Sequence, residues 1–234
     1  TLFPYTTLFR SQAFSFFDRA LKTWPERDRA RRAPQVLLWL HGLSAAHAEQ
    51  YAPALVDLRI LLDRAEQAEA AGALTQFSTL RANEVRYVLA TVEQQAGLTD
   101  SAVSHYQQVL VHDLGQYMAH TQLANIHESM KQLDLAIEER RRAIAANPDD
   151  PSLQYDLGYT LARAGRFTEA RAALREAMEG NPLNPRIPYV LGKVELRLQD
   201  ADAARASLSR FIAMAPSRFA EQVEDAKADV ASLH

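Results

Sequence analysis

Residues 151–184 read PSLQYDLGYTLARAGRFTEARAALREAMEGNPLN, and this stretch decides the fold. Its first half carries Leu157-Gly158, and its second half carries apolar residues that return at the spacing of one helical face. Gly165 lies between the halves, where a glycine can supply the positive φ that a helix end often needs. Asn181-Pro182 ends the second half, since proline disfavours helical geometry in the residue before it. The stretch therefore predicts two α-helices that are joined by a tight turn and cross closely at Gly158.

The same pattern recurs at an interval of 34 residues. Three prolines keep this interval, and so do four alanines that we expect where the paired helices approach most closely: Pro148, Pro182 and Pro216, then Ala102, Ala136, Ala170 and Ala204. Four units follow one another without insertion: Asn83–Gln116, Tyr117–Asp150, Pro151–Asn184 and Pro185–Arg218. Chance does not maintain such a register over four copies, so the sequence predicts an all-α solenoid of helix-turn-helix repeats.

These units resemble the tetratricopeptide repeat family. In the third unit the matching residues are Leu157, Gly158, Leu161, Gly165, Phe167, Ala170, Leu174, Ala177 and Pro182. The tryptophan often found early in the family's repeat is replaced in the four units by Arg86, His120, Gln154 and Pro188. The pentatricopeptide family, which reads RNA, expects a repeat one residue longer and a basic groove, and neither feature fits. The resemblance implies a right-handed α-α superhelix of five to six helix pairs that binds other proteins.

The remaining parts of the chain are predicted to extend the array. Residues 12–82 are interpreted as divergent helical repeats, with a helix pair over Gln35–Gln67 that is broken near Gly72. Residues 17–21 resemble the tail of another second helix. Residues 219–234 alternate apolar and charged side chains at helical spacing, so they are predicted to form a capping helix with a polar outer face.

The beginning of the chain has a different interpretation. Residues 1–11, TLFPYTTLFRS, resemble the translation of a sequencing adapter, and no initiator methionine is present. We interpret these residues as an artefact rather than as part of the fold, the alternative being a genuine loop and strand. The chain from Gln12 onward is then interpreted as the C-terminal part of a longer protein.

Composition restricts the classes of function. The chain has 234 residues, a formal net charge of −3 and no cysteine. A net negative charge argues against nucleic acid as the partner, because phosphate binding normally demands a cationic excess. The absence of cysteine excludes disulfides, thiolate metal sites and a cysteine nucleophile. The longest apolar run, Val36–Leu40, is too short for a membrane-spanning helix. We predict no nucleic-acid partner and no direct membrane insertion, and the cytoplasm is only a default location.

No pattern indicates a catalytic, metal or cofactor site, so we predict a protein that is not an enzyme and needs no cofactor. The histidines include pairs seven residues apart, such as His105 and His112, but none with the spacing of a metalloprotease helix. His127 falls at a position that faces the second helix, and it is predicted to be packed or hydrogen-bonded there. No nucleophile elbow or phosphate-binding glycine loop is present.

Two basic clusters are interpreted as solvated surface. Arg140-Arg141-Arg142 has Glu138 and Glu139 beside it on the same predicted helix, which favours an exposed, ion-paired face. The other cluster lies in a linker, where contact with an anionic partner is the alternative: Arg27, Arg29, Arg31 and Arg32.

The family resemblance implies that the first helices of the repeats line an inner groove. Three register positions face it, and they hold Tyr87, Thr121, Tyr155 and Tyr189, then Thr91, Asn125, Tyr159 and Lys193, then Gln95, Ser129, Arg163 and Arg197. We predict that the partner-binding residues are Tyr87, Thr91, Asn125, Tyr155, Tyr159, Tyr189 and Lys193. Aromatic faces supply contact area and polar tips supply hydrogen bonds to a peptide. The alternative is that the tyrosines pack between neighbouring repeats.

A groove of this kind favours a scaffold that binds a protein or peptide. Some family members hold a C-terminal carboxylate with a clamp of Lys, Asn and Arg. Here the first clamp position holds tyrosine or threonine, and Asp156 stands where a second asparagine is needed, so the clamp is not supported. The other hypothesis is that the chain is the accessory repeat region of a larger bacterial enzyme or membrane-bound exporter. The oligomeric state is left open.

Overall fold

A computed structural model describes residues 4–24, 28, 32–72 and 80–233 of the chain, with side chains from residue 12 onward. All regular secondary structure in these ranges is helical. Some residues named above lie outside the described ranges: Thr1, Leu2, Phe3, Arg27, Arg29, Arg31 and His234. The chain divides into two compact units, Thr1–Leu114 and Gly115–His234.

Unit 1 contains five α-helices in its described residues. They are α1 (Pro4–Lys22), α2 (Gln35–His47), α3 (Tyr51–Ala70), α4 (Ala82–Gln95) and α5 (Thr99–His112). Successive helices from α1 to α5 pack against one another, and the buried core includes Leu38, Leu58 and Leu89. The backbone of residues 4–11 is part of helix α1, so it is not the loop and strand considered as the alternative. Helix α3 ends just before Gly72, which has a φ of +62°.

Unit 2 contains seven α-helices and a single 3-10 turn in its described residues. They are α6 (Tyr117–Ser129), α7 (Leu133–Ala146), α8 (Pro151–Arg163), α9 (Phe167–Gly180), α10 (Arg186–Arg197), α11 (Ala201–Met214) and α12 (Ala220–Ser232), with the turn at Ser217–Phe219. The helices pack as the pairs α6/α7, α8/α9 and α10/α11, and α12 packs against α11. Helices α7, α9 and α11 end directly before Asn147, Asn181 and Ala215, the residues that precede the periodic prolines.

The small residue of the first helix does allow the second helix to cross closely. A Cβ atom built on Gly158 would lie 2.6 Å from Leu174 Cγ and 3.2 Å from the carbonyl oxygen of Ala170. A Cβ atom on Gly192 would lie 2.6 Å from Leu208 Cγ. Cβ atoms essentially never approach another atom to 2.6 Å, so each leucine would have to move if its glycine carried a side chain. The predicted close crossing of α8 and α9 is therefore confirmed.

The residue opposite the small position differs between repeats. Where the first helix carries glycine, the second helix carries a leucine sixteen residues later, as in Gly158 with Leu174. Where the first helix carries Ala90 or Ala124, the residue at the same spacing is Tyr106 or Arg140. The two positions thus change together along the chain.

Each turn inside a helix pair contains one residue with a left-handed backbone. Gly165 has a φ of +76°, as the sequence predicts, and Gly97 has a φ of +77°. The corresponding residues of the other pairs are Glu49, Lys131 and Gln199, with φ values of 60°, 61° and 59°. These side chains carry a cost that glycine avoids, since an L-residue in this region brings Cβ close to a carbonyl oxygen.

Replacing Lys131 with glycine is therefore expected to stabilise the protein. The substitution relieves about 1–2 kcal/mol of left-handed strain in the folded state. Glycine is more flexible in the unfolded chain, and this lowers the gain in stability by roughly 0.5–1 kcal/mol. A net gain of about 0.5 kcal/mol should appear as a higher urea midpoint at an unchanged slope. The reverse substitution, Gly165→Ala, should lower the midpoint, and an unchanged or lower midpoint for Lys131→Gly would contradict the prediction.

Candidate partner-binding groove

The predicted partner-binding residues all lie on the first helices of their pairs. Tyr155 and Tyr159 are one helical turn apart on α8, and Tyr189 and Lys193 are one turn apart on α10. The structure brings Tyr159, Tyr189 and Lys193 together around one pocket of unit 2. Tyr87 and Thr91 line a second pocket in unit 1, whereas Asn125 and Tyr155 line neither.

The pocket of unit 2, named here the α8–α10 pocket, is open and has a volume of about 490 Å³. Its polar and aromatic lining residues are Tyr159, Arg163, Phe167, Tyr189, Lys193 and Arg197. Its remaining lining residues are Ala162, Gly165, Val190 and Val194. Three cationic side chains and no carboxylate thus face the pocket. A concave apolar surface with a few polar groups is the usual form of a ligand site.

Two tyrosine rings of the pocket pack against other aromatic rings of unit 2. The ring of Tyr159 stacks on that of Tyr155, with centroids 6.4 Å apart and planes inclined by 27°, yet 43% of Tyr159 stays exposed. The ring of Tyr189 lies 4.9 Å from that of the buried Phe211. Both tyrosines therefore combine a fixed ring with an accessible surface, which is the property that suits aromatic residues to binding sites.

The three cations of the pocket differ in their ionic partners. Arg163 donates to Glu128 at 3.1 Å. Lys193 lies 2.6 Å from Asp225 and 2.5 Å from Asp229, both on helix α12. The guanidinium of Arg197 lies over the ring of Phe167, 6.0 Å from its centroid. Among the described residues, no carboxylate lies within ion-pair distance of Arg197.

Aspartates of helix α12 raise the pKa values of two groove residues, Tyr189 and Lys193. The hydroxyl of Tyr189 donates to Asp225 at 2.8 Å. Burial raises the pKa of Tyr189, and so does this hydrogen bond to a carboxylate. Burial alone would lower the pKa of Lys193, but its hydrogen bonds to Asp225 and Asp229 outweigh that effect and raise it. The bonds from Lys193 and Tyr189 lower the pKa of Asp225. At neutral pH the lysine is charged and the tyrosine is protonated.

The pocket of unit 1 is lined from equivalent repeat positions, but by side chains of different charge. It has a volume of about 250 Å³, and its lining residues are Leu43, Ala46, His47, Tyr87, Val88, Thr91, Val92 and Gln95. Among the residues of unit 1 that the structure describes, no lysine or arginine lines it. The ring of Tyr87 lies 5.7 Å from that of Tyr106, whose hydroxyl donates to Thr91 at 3.1 Å. Burial raises the pKa of Tyr106.

Asn125 is tied to a charged network inside unit 2. Its Oδ1 accepts a hydrogen bond of 2.7 Å from Arg140, whose other terminal nitrogen lies 3.3 Å from Asp156. Arg140 is only 5% exposed, so it does not belong to the solvated face predicted for this arginine cluster. The physical reason is its register, because position 140 corresponds to the buried Leu174 one repeat later. The repeat spacing itself was the signal that could have revealed this.

The neighbouring arginines do lie on an ion-paired surface. Arg141 bonds to Glu169 of the next pair at 2.9 Å, and Arg142 pairs with Glu138 at 3.6 Å and also with Glu139. These contacts are exposed or partly exposed, and pairs of this kind contribute little to stability.

Several histidines are hydrogen-bonded within the helix pairs. His127 Nδ1 lies 2.8 Å from Gln132 Oε1 at a partly exposed position. His120 Nδ1 lies 2.6 Å from the buried Glu139. Burial would raise the pKa of Glu139, but the hydrogen bond from His120 and the charge of Arg142 outweigh it and lower the pKa.

His41 forms a fully buried pair with Asp57, which joins α2 to α3 in unit 1. The ring of Phe14 stacks on His41 with centroids 5.2 Å apart, and Asp18 approaches the other ring nitrogen at 4.0 Å. The surrounding helices thus cover this pair, and nothing connects it to either pocket. Within the residues that the structure describes, no group of three or more His, Asp or Glu side chains is arranged to hold a metal ion. No helix in the same ranges is long and apolar enough to cross a membrane.

Comparison with known proteins agrees with this architecture. The structure of YrrB, whose title describes a TPR protein with an unusual peptide-binding site, has a TM-score of 0.64 at 16% identity over 92% of this chain and 100% of that one. The C-terminal part of a TPR repeat-containing protein from Cytophaga hutchinsonii has a TM-score of 0.69 at 12% identity, covering 97% and 95%. A MamA RS-1 double mutant has a TM-score of 0.62 at 18% identity, covering 77% and 93%. No curated protein matches the sequence.

The family itself is shown by sequence. The family model of the tetratricopeptide repeat matches residues 87–151 and 155–219, more than half of the chain. The prediction of an all-α solenoid of helix-turn-helix repeats is confirmed by these matches together with the helical structure. The chain belongs to the tetratricopeptide repeat family.

Proposed function

We propose that this chain is a protein-interaction scaffold that holds a peptide segment of its partner in the α8–α10 pocket. The observation that carries the proposal is the pair of tyrosines at the pocket, Tyr159 and Tyr189, whose rings are held by Tyr155 and Phe211 while the pocket stays open. Rigid aromatic side chains lose little conformational freedom on binding, so they supply much of the affinity of peptide sites.

The repeat architecture supports the general part of this proposal. Tetratricopeptide repeats and solved structures of the same fold are consistent with a scaffold for protein–protein interaction. YrrB, one of these structures, is described by its title as having a peptide-binding site. The proposed position of the partner, between α8 and α10, is supported by the geometry of the pocket in this chain.

A selection of random peptides displayed on phage against the purified chain tests the proposal. Peptides that are enriched should bind Tyr159→Ala at least tenfold more weakly than the unchanged protein, a loss of about 1.4 kcal/mol of binding free energy. Since 43% of Tyr159 is exposed and the residue lies outside the buried core, this variant should keep the helical content of the original.

Tyr87→Ala is the matched control, because it removes the tyrosine of the other pocket. It should leave the affinity of the selected peptides unchanged. Peptides that lose affinity with Tyr87→Ala but not with Tyr159→Ala would place the site in unit 1 and contradict the proposal, and so would a failure to enrich any peptide.

A further inference from the structure

We infer that the segment taken by the α8–α10 pocket is acidic, and that Arg197 is the residue that selects it. This inference rests on the proposed function, because it names the chemistry of a peptide bound at the same site. The occupant is a peptide with carboxylate side chains next to an apolar residue, rather than a neutral or basic peptide.

The cations around the pocket are unequally compensated. Three cations and, among the described residues, no carboxylate line it. Arg163 is compensated by Glu128, and Lys193 by the two aspartates of α12. Arg197 is exposed and has no such compensation among the described side chains. Arg197 is therefore the cation of this lining that has no carboxylate partner among the described side chains. It lies beside a low-dielectric apolar wall, where a fixed charge acts more strongly than in water.

An aromatic ring of the pocket orients Arg197. Its guanidinium lies over Phe167, which also lines the pocket. Stacking on an aromatic ring leaves the edge of the guanidinium with its N–H donors available, and that edge matches the two oxygens of a carboxylate. Since Val190 and Val194 line the same pocket, an apolar side chain of the peptide has a surface to contact there.

Side chains of α10 already donate to carboxylates on this surface. Asp225 and Asp229, one turn apart on α12, accept from Tyr189 and Lys193. This contact shows that the polar tips of α10 are arranged to donate to acidic side chains. Arg197, one turn beyond Lys193 on α10, carries the next donor group.

The pocket of unit 1 provides an internal comparison. Gln95 occupies the register position of Arg163 and Arg197, and Thr91 occupies the position of Lys193. The pocket of unit 1 therefore uses the same register positions but, among the described residues, contains no lysine or arginine. The charge of the α8–α10 pocket is a property of that pocket and not of the repeat in general.

Three fluorescent peptides of equal length test the inference by anisotropy with the full chain. Each carries one phenylalanine and one leucine, and the remaining positions are glutamate, glutamine or lysine. The glutamate peptide should bind at least tenfold more tightly than the glutamine peptide, and the lysine peptide most weakly. Its advantage should shrink when the ionic strength is raised from about 0.1 M to about 1 M, because salt screens exposed charges.

Arg197→Gln should remove the preference for glutamate and leave the affinity of the glutamine peptide unchanged. Arg210→Gln is the control, since it removes an equal charge from an exposed arginine that does not line the pocket. Equal binding of the glutamate and glutamine peptides, absence of binding, or a preference that survives Arg197→Gln would overturn the inference. If the two peptides bind equally and both are weakened by Tyr159→Ala, the pocket is still the peptide site and only its acidic preference is wrong.

Discussion

Replacing Gly158 with valine is expected to lower the free energy of unfolding by about 3 kcal/mol. The reason is the distance of 2.6 Å between an added Cβ and Leu174 Cγ, with the Ala170 carbonyl only slightly farther away. Neither the buried leucine nor the backbone of α9 can yield without disturbing its own neighbours, because the core is close-packed. Urea denaturation followed by circular dichroism measures the change.

Two variants separate overpacking from a general intolerance of substitution. Gly165→Ala places a methyl group where nothing lies within 4 Å, so it should cost only the strain of its φ of +76°, about 1 kcal/mol. Combining Gly158→Val with Leu174→Ala should cost less than the sum of the single changes, since the second removes the atoms that the first would meet. A Gly158→Val protein as stable as the original would refute the close crossing.

The second large effect is expected at the buried pair of unit 1. Asp57→Ala should cost about 3 kcal/mol, because it leaves His41 buried without its hydrogen-bond partner. Trp39 on α2 is partly buried in the same core, so its fluorescence should report the unfolding of this unit in urea.

Asp63→Ala is the matched control on the same helix, since Asp63 is exposed. It should change the midpoint by an amount within the error of the measurement. Replacing both His41 and Asp57 with leucine should recover much of the loss, because a buried polar pair can be exchanged for apolar groups of similar size. Equal midpoints for Asp57→Ala and Asp63→Ala would show that the pair contributes nothing.

Much of the fold could be predicted because each repeat is a local structure. The interval of the prolines, the glycine at the crossing and the glycine in the turn all act within one unit of the chain. These signals placed the helix pair of residues 151–184. The divergent pair that forms α2 and α3 has no periodic proline and no turn glycine, and the spacing of its small and apolar residues predicted it. Small residues and helix ends are readable from sequence because their effect depends on neighbours close in the chain.

The contacts that decide the candidate site were less predictable. Register identified the face of α10 that carries Tyr189 and Lys193. It did not show that Asp225 binds both residues and that Asp229 binds Lys193. That contact joins residues about one repeat apart, and it depends on how α12 packs in unit 2. Whether the seven predicted residues bind a partner stays a prediction.

Buried charge was the other feature missed from sequence. Glu93 is paired with His105, and Glu195 accepts from Ser207, at the same spacing in two different repeats. Both glutamates are almost fully buried at a position that holds Leu161 in the third repeat. The second repeat holds His127 at this position, so only one of the four repeats is apolar there and no break in an apolar pattern marked the buried carboxylates. A buried carboxylate requires a partner, and the partners became visible only in the structure.

The pairing of glycine with leucine at the helix crossing restricts how this architecture can be recombined. Grafting α6, with Ala124, next to α9 would direct a methyl group at Leu174, and grafting α8 next to α7 would place Gly158 opposite Arg140. One chimera would be overcrowded and the other would contain an unfilled space. The exchangeable module is therefore the whole hairpin of two helices, because the residues at its crossing fit only each other.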